Sequence, residues 1–286
     1  MNPDDEILHE LQAQYSRLSP IIILAPTPRC GSTLLQRALN LGGQTIIYGE
    51  NFLMAEFAPH YLAGDLDDIA VKARVSDKTM TDFLDGNRGM DASSLYPDYI
   101  AYRRKLLGYC FEIAELYRLE SLKHGFAKWG FKHQLRDPRM FGNFTRIMSD
   151  FRAVTLYRDV VDVAKSTRAR WPQNLQDARQ AFAFGRRWRD NLQFLLGLTG
   201  DRNLVVRYED MVGDRERWIP RIEAHVEAAV APAAFERKVN VHNFSLESDR
   251  PMEGYVPPAA LPEPMLRAVL HGAAPLRGQL GYPPVG

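Results

Sequence analysis

The sequence predicts an α/β fold: a P-loop-like three-layer sandwich in which a central parallel sheet of about five strands is flanked by helices. Short β-branched and aliphatic runs alternate with helical patterns along the chain, as in sheets covered on both faces. The first of these runs passes into a helix through a loop of small residues carrying one arginine, Pro26-Thr27-Pro28-Arg29-Cys30-Gly31-Ser32-Thr33. At 286 residues, with 45% hydrophobic and 25% charged side chains, the chain has the size and composition of a globular protein with a large core.

The expected strands are Ile21 to Leu24, Thr45 to Tyr48, Trp129 to Lys132, Ala153 to Tyr157 and Leu204 to Tyr208. After the loop, Leu34, Leu35, Ala38, Leu39 and Leu41 form an apolar stripe at helical spacing, and Gly42-Gly43 supplies the stop. Residues 52–123 are far too long for an ordinary connection. They read as a cap or substrate-facing insertion within a single domain of residues 1–286, with a helix around Tyr99 to Leu119. Between Pro172 and Leu198 another helix buries Phe184, Trp188, Leu192 and Leu195, leaving Arg186, Arg187 and Arg189 as a solvated face. The tail from Val241, rich in Pro, Gly and Ser, reads as ordered loops around the domain.

Net charge is +1, so no global field argues for nucleic acid or a membrane surface, and anion recognition falls to locally placed Arg and Lys. The start Met1-Asn2-Pro3-Asp4-Asp5-Glu6 lacks the order of a secretory signal, and no apolar run is long enough to span a bilayer. A cytoplasmic protein is expected. The two cysteines, Cys30 and Cys110, suit a reducing compartment and exclude a cysteine-based zinc site. Cys30 reads as a small loop residue, with no His or Asp nearby in sequence to activate it.

A strand-to-helix turn of this kind aims backbone N–H groups and the positive end of a helix dipole at one point, where phosphate or sulfate is held. A Walker A loop would carry Gly at 26, Lys at 32 and Ser or Thr at 33; this chain has Pro26 and Ser32 and keeps Gly31 and Thr33. An ordinary ATP or GTP site is disfavoured. A second anion motif is Thr155-Leu156-Tyr157-Arg158-Asp159-Val160-Val161-Asp162-Val163-Ala164-Lys165-Ser166: an arginine ends a buried strand and a serine follows on the next helix. A guanidinium and a hydroxyl converging at a strand end hold phosphate by charge-assisted bonds.

Arg29-Cys30-Gly31-Ser32-Thr33-Leu34 resembles the 5′-phosphosulfate loop of sulfotransferases, and Arg158 with Ser166 resembles their 3′-phosphate segment. The resemblance covers residues 20–50, 129–170, 203–222 and 274–283. It implies 3′-phosphoadenosine 5′-phosphosulfate (PAPS) as donor, 3′-phosphoadenosine 5′-phosphate (PAP) as product, a hydroxyl-bearing acceptor and no metal. Glu50, at the end of the second strand, matches the general base of the peptide-tyrosine and carbohydrate enzymes. Lys132 matches a lysine beside the transferring group; Lys128 is a poorer candidate because it precedes the apolar run. Arg29 joins Glu50 and Lys132 in the catalytic set and also belongs to the donor-binding loop. Tyr208, in Val205-Val206-Arg207-Tyr208-Glu209-Asp210, matches a tyrosine lying against the donor nucleoside. Ala274-Pro275-Leu276-Arg277-Gly278-Gln279-Leu280-Gly281-Tyr282 is similar to the end of the tyrosylprotein sulfotransferase domain; that family also brings a C-terminal serine to the donor, for which Ser245 or Ser248 is the candidate, although either reads more readily as part of a solvated turn.

The chain departs from the family at Cys30, where Ser is common, and at His133-Gln134, where the peptide-tyrosine enzymes have Asp-Pro. His133 is the alternative base, but it directly follows Lys132, and strand alternation points the two apart. Peptide tyrosine, saccharide and small alcohol or phenol all stay open as acceptors. A P-loop kinase or NTPase, and a noncatalytic nucleotide-binding module, are the rival functions.

Overall fold

The computed structural model describes residues 3–51, 53–58, 78, 80–82, 84–86, 99–198, 200–238, 250–251 and 257–284. By its internal contacts the chain divides into two compact units, Pro20–Asn51 with Glu120–Pro138 and Phe151–Gly286, and Met1–Ser19 with Phe52–Leu119 and Arg139–Asp150. The first of these holds the sheet. Its strands are β1 (Ile21–Ala25), β2 (Thr45–Glu50), β3 (Lys128–Gln134), β4 (Arg152–Tyr157) and β5 (Asn203–Arg207). They run in the order β2-β3-β1-β4-β5, and every pairing is parallel. The five expected strands are all present, each shifted or lengthened by a few residues at most. β2 and β3 run two residues past their expected ends, and Tyr208 opens a helix instead of ending a strand.

The sheet is central because its strands are apolar on both sides. Ile21, Ile23, Val154, Leu156 and Val206 face one cluster. It is completed by Leu35, Ala38 and Leu39 of α1 (Ser32–Leu41) and Trp218, Ile219, Ile222 and Val226 of α2 (Arg215–Val226). On the other face Tyr157 packs with Val160, Val163 and Ala164 of α3 (Val160–Arg170), and with Phe184, Trp188 and Leu192 of α4 (Ala178–Leu196). Met265, Val269 and Ala273 of α5 (Glu263–Ala273) close that layer. In the expected α1 stripe Leu34 is only half-buried and Leu41 is exposed, because the stripe is wider than the face the sheet covers. Arg186 and Arg187 are exposed as expected, whereas Arg189 is half-buried and bonded to the Ala274 carbonyl. α4 and α5 cross closely, since a Cβ on Gly185 would meet the Val269 carbonyl and one on Gly272 the Phe182 carbonyl.

Edge strand β2 is closed by side chains: Asn40 exchanges hydrogen bonds with the Ile47 N–H and carbonyl, and Gln36 donates to the Ile47 and Tyr48 carbonyls. Such cover removes the free groups that would pair with another chain.

The second unit contains the N-terminal helix Pro3–Gln14, the helical turn Leu53–Phe57, the long helix Tyr99–Lys123 up to Leu119, and the helix Pro138–Ile147 from Arg139 onward. Tyr15 stacks on Phe111, Glu10 pairs with Arg104, and Gln12 donates to the Arg146 and Ile147 carbonyls. The helix expected near Tyr99 to Leu119 is present and runs one turn longer; most of the remaining 52–123 insertion lies outside the described residues. So does the start of the expected tail, but its end is helical, in α5 and in the short turn Leu276–Gln279.

The C-terminal segment is tied to the β4 end by a buried ion pair. Arg277 donates through Nε and Nη2 to the two carboxylate oxygens of Asp159, at 3.0 and 2.7 Å, and the side chains are only 8% and 15% exposed. Arg277→Ala leaves that carboxylate buried without its partner. We expect a loss of about 3–5 kcal/mol in urea unfolding. Arg277→Met combined with Asp159→Asn loses less, because neither charge is then stranded.

Cys30 is fully buried, and burial pushes its thiol up to about 11 from an ordinary 9.0. Between those values the unfolded chain releases the proton while the folded chain keeps it, so stability falls as pH rises from about 9 to about 11. Urea midpoints measured at pH 8 and pH 10.5 should show this decline, and Cys30→Ala should reduce it.

Candidate active site

The carboxyl ends of the parallel strands carry Glu50, Lys132, Gln134 and Arg158, at the edge where ligands collect in open α/β sheets. β1 ends at Ala25, and the chain turns through residues 26–31 into α1. Gly31 caps α1 at φ 94° with no side-chain hydrogen bond. Only glycine fits, since the left-handed backbone and the Tyr208 ring, pressed where a Cβ would stand, both exclude a side chain. The uncapped N-terminus of a ten-residue helix thus faces the strand ends, with Ser32 buried and Thr33 half-buried in its first turn. Cys30 stays protonated at neutral pH and contacts Thr27 Oγ1 at 3.6 Å, so it contributes backbone and volume to the loop and not a thiolate.

Glu50 and Lys132 meet through strand register. β2 and β3 pair residue for residue up to Tyr48 and Phe131; an irregularity at Gly49 then sets Glu50 opposite Lys132. Lys132 Nζ lies 3.4 Å from Glu50 Oε1 and donates to Thr33 Oγ1 at 3.2 Å. Gln134, the next residue on the same side of β3, also donates to Glu50 Oε1. Lys132 is nearly buried at 9% side-chain exposure, while Glu50 is 42% exposed. The lysine is therefore a fixed cation, and the carboxylate remains open to solvent. His133 is 1% exposed, on the opposite side of β3 from Lys132. Lys128 sits at the other end of the strand, paired with Glu227.

Arg158 follows β4, and its guanidinium lies 4.7 Å from the centre of the Tyr208 ring. Its Nε is buried without a hydrogen-bond partner, while Nη2 stands 3.9 Å from Asp162. An unpaired buried guanidinium N–H is costly unless an anion takes it. The residues present thus fit a phosphate group. Tyr208, adjoining both Gly31 and Arg158, joins the two anion motifs. They meet a second time at Arg29, whose Nε donates to Ser166 Oγ at 3.0 Å. Of the residues named from the sequence for this site, seven stand at one edge of the sheet in two groups: Glu50, Lys132 and Thr33, and Arg29, Ser166, Arg158 and Tyr208. Leu34 takes no polar part and packs against the core. Ser245 and Ser248 lie outside the described residues.

The supports of this site were not evident in the sequence. Asn191 of α4, 2% exposed, donates at 2.8 Å to the carbonyls of both Pro26 and Leu135, tying the start of the loop to the end of β3. Trp188 Nε1 donates to the Arg158 carbonyl. Glu209 accepts the Asp159 N–H and the Tyr282 hydroxyl, and Asp159 caps α3 through the Val161 N–H. Asn191 occupies a helical position between apolar residues, where an amide gives no sign of its partners. Among the described residues no helix is long and apolar enough to cross a membrane, and no group of three His, Cys, Asp or Glu side chains is arranged to hold a metal ion.

No curated protein matches the chain. Among solved structures it is similar to the sulfotransferase domain of the Synechococcus PCC 7002 olefin synthase, at 18% identity and a TM-score of 0.50, over 93% of this chain and 96% of that one. It is also similar to the sulfotransferase STF1 from Mycobacterium tuberculosis H37Rv, at 13% identity and a TM-score of 0.46, over 94% and 81% of the respective chains. At such identity the first likeness speaks for the fold. The model of the Sulfotransferase family matches residues 20–232, a stretch that holds both anion motifs, Glu50, Lys132 and Tyr208, and on that match the chain belongs to the sulfotransferase family.

Proposed function

We propose that the protein transfers a sulfuryl group from PAPS to an acceptor hydroxyl, leaving PAP, with Glu50 as general base. The observation that carries this reading is the contact of Glu50, Lys132 and Thr33, from β2, β3 and α1, at the uncapped helix N-terminus. A loose sulfuryl transfer asks the protein for little covalent chemistry and much positioning and charge stabilisation. The acceptor oxygen attacks sulfur as the bond from sulfur to the bridging oxygen breaks. Glu50 takes the hydroxyl proton, and the charge left on the 5′-phosphate falls to Lys132, Thr33 and the N–H groups of residues 31–33. Lys132 serves twice, since it also orients the carboxylate it pairs with, while Gln134 holds the same oxygen from the other side.

On the other side of the loop, Arg158 and Ser166 receive the 3′-phosphate and Tyr208 adjoins the nucleoside. Glu50 is favoured over His133 as base because an acceptor can reach a carboxylate that is 42% exposed, whereas the imidazole is 1% exposed. A cytoplasmic location is consistent with two buried free cysteines. Peptide tyrosine, saccharide and small alcohol or phenol are the acceptor classes to screen.

Calorimetry with PAP in EDTA tests the donor site. Wild type should bind PAP tightly and ATP weakly, and Arg158→Ala should lose PAP binding. Preference for ATP that appears only with Mg²⁺ would favour a kinase or NTPase instead. Tight PAP binding with no transfer to any acceptor of a broad panel would favour a noncatalytic module. Once an acceptor is found, Glu50→Gln should lower kcat by about 10²- to 10⁴-fold while PAP affinity stays near wild type. An unchanged kcat in that variant would remove Glu50 from the base role.

A further inference from the structure

We infer that Arg29, though part of the loop assigned to the 5′-phosphosulfate, is a specificity-determining residue for the donor's 3′-phosphate; this rests on the PAPS reading above. Arg29 sits at φ 72°, a left-handed conformation that side-chain-bearing residues seldom adopt. That backbone turn accompanies a guanidinium directed across to α3, where Nε donates to Ser166 Oγ at 3.0 Å. The Trp171 ring, at the C-terminus of α3, lies 5.9 Å from the guanidinium carbon. A strained loop residue, a hydroxyl and an aromatic ring are thus linked, and Ser166 and Trp171 belong to the helix of the 3′-phosphate motif and its C-terminal cap.

The polarity of the contact carries the argument further. A guanidinium N–H only donates, so Ser166 must accept from Arg29, and its own hydroxyl hydrogen is left to be donated elsewhere. Phosphate oxygens only accept. Arg29 therefore sets Ser166 as a donor and brings a permanent positive charge beside it, the two properties a phosphate ligand selects. One turn before Ser166 on α3, Asp162 is held by Lys165 at 3.2 Å and lies 3.9 Å from Arg158, which precedes the helix. The neighbouring carboxylate is thereby engaged by cations. A donor lacking the 3′-phosphate would leave the Arg29–Ser166 pair without its ligand.

The test compares PAP with adenosine 5′-phosphate, which differ only in the 3′-phosphate, by calorimetry on wild type, Arg29→Met, Arg29→Lys, Ser166→Ala and the Arg29→Met/Ser166→Ala double variant. Arg29→Met should weaken PAP between about tenfold and about a hundredfold, and adenosine 5′-phosphate by less than about threefold. Arg29→Lys should fall between, since it keeps the charge and loses the planar fork. The double variant should lose less PAP affinity than the product of the single losses, the mark of one shared subsite. Ser166→Ala probes the same pair without altering the strained loop, and melting curves identify any variant that has not folded. Equal weakening of both ligands by Arg29→Met would overturn the inference and return Arg29 to the 5′ group alone, as would fully multiplicative losses in the double variant. A wild type that does not distinguish the two ligands would remove the PAPS reading and the inference together. A wild type that does, with Arg29→Met equally discriminating, would remove only the inference.

Discussion

Parallel pairing around β1 is the constraint on which the rest depends. β1 is hydrogen-bonded to β3 on one side and β4 on the other, all in one direction, so the chain emerges from each of the three strands at the same edge. Lys132 lies near the end of β3, Arg158 directly after β4, and the loop of Arg29 to Gly31 directly after β1. Antiparallel neighbours would send half of these groups to the opposite edge. The fold thus concentrates cations at one place although the whole chain carries a net charge of only +1.

That concentration is managed by carboxylates placed beside the cations. Lys132 has Glu50, Arg158 has Asp162, Arg277 has Asp159, and Arg207 has Glu209. The pairs differ in burial, and the difference separates their work. Arg277 with Asp159 is buried and doubly bonded, so it braces the turn that presents Arg158. Arg158 with Asp162 is a long contact with the buried Nε left over, an arrangement able to exchange a weak internal partner for a phosphate. Glu50 is more exposed than its lysine, which suits the base role proposed for it.

The anion motifs were legible because their chemistry is local. A loop of small residues opening a helix and an arginine ending an apolar strand are recognisable within a dozen residues, and the structure places Ser32 and Thr33 in the first turn of α1 and Arg158 directly after β4. The sheet was legible for a similar reason, since strands buried on both faces are continuous apolar runs. Less visible were the helices Pro3–Gln14, Pro138–Ile147 and Glu263–Ala273. Each begins at or next to a proline, which marks a first helical turn as readily as a loop.

By itself the sequence determined the α/β class, the small-residue loop that opens α1 and the arginine that follows β4, because each follows from periodicity or from a short run of residue types. Only the tertiary structure decided which of those residues touch. The bulge at Gly49 sets Glu50 against Lys132, Arg29 turns to Ser166, Tyr208 wedges between Gly31 and Arg158, and Asn191 ties the loop to β3. These contacts join residues far apart in the chain, and their geometry comes from strand register and helix packing, which no local pattern of side chains encodes.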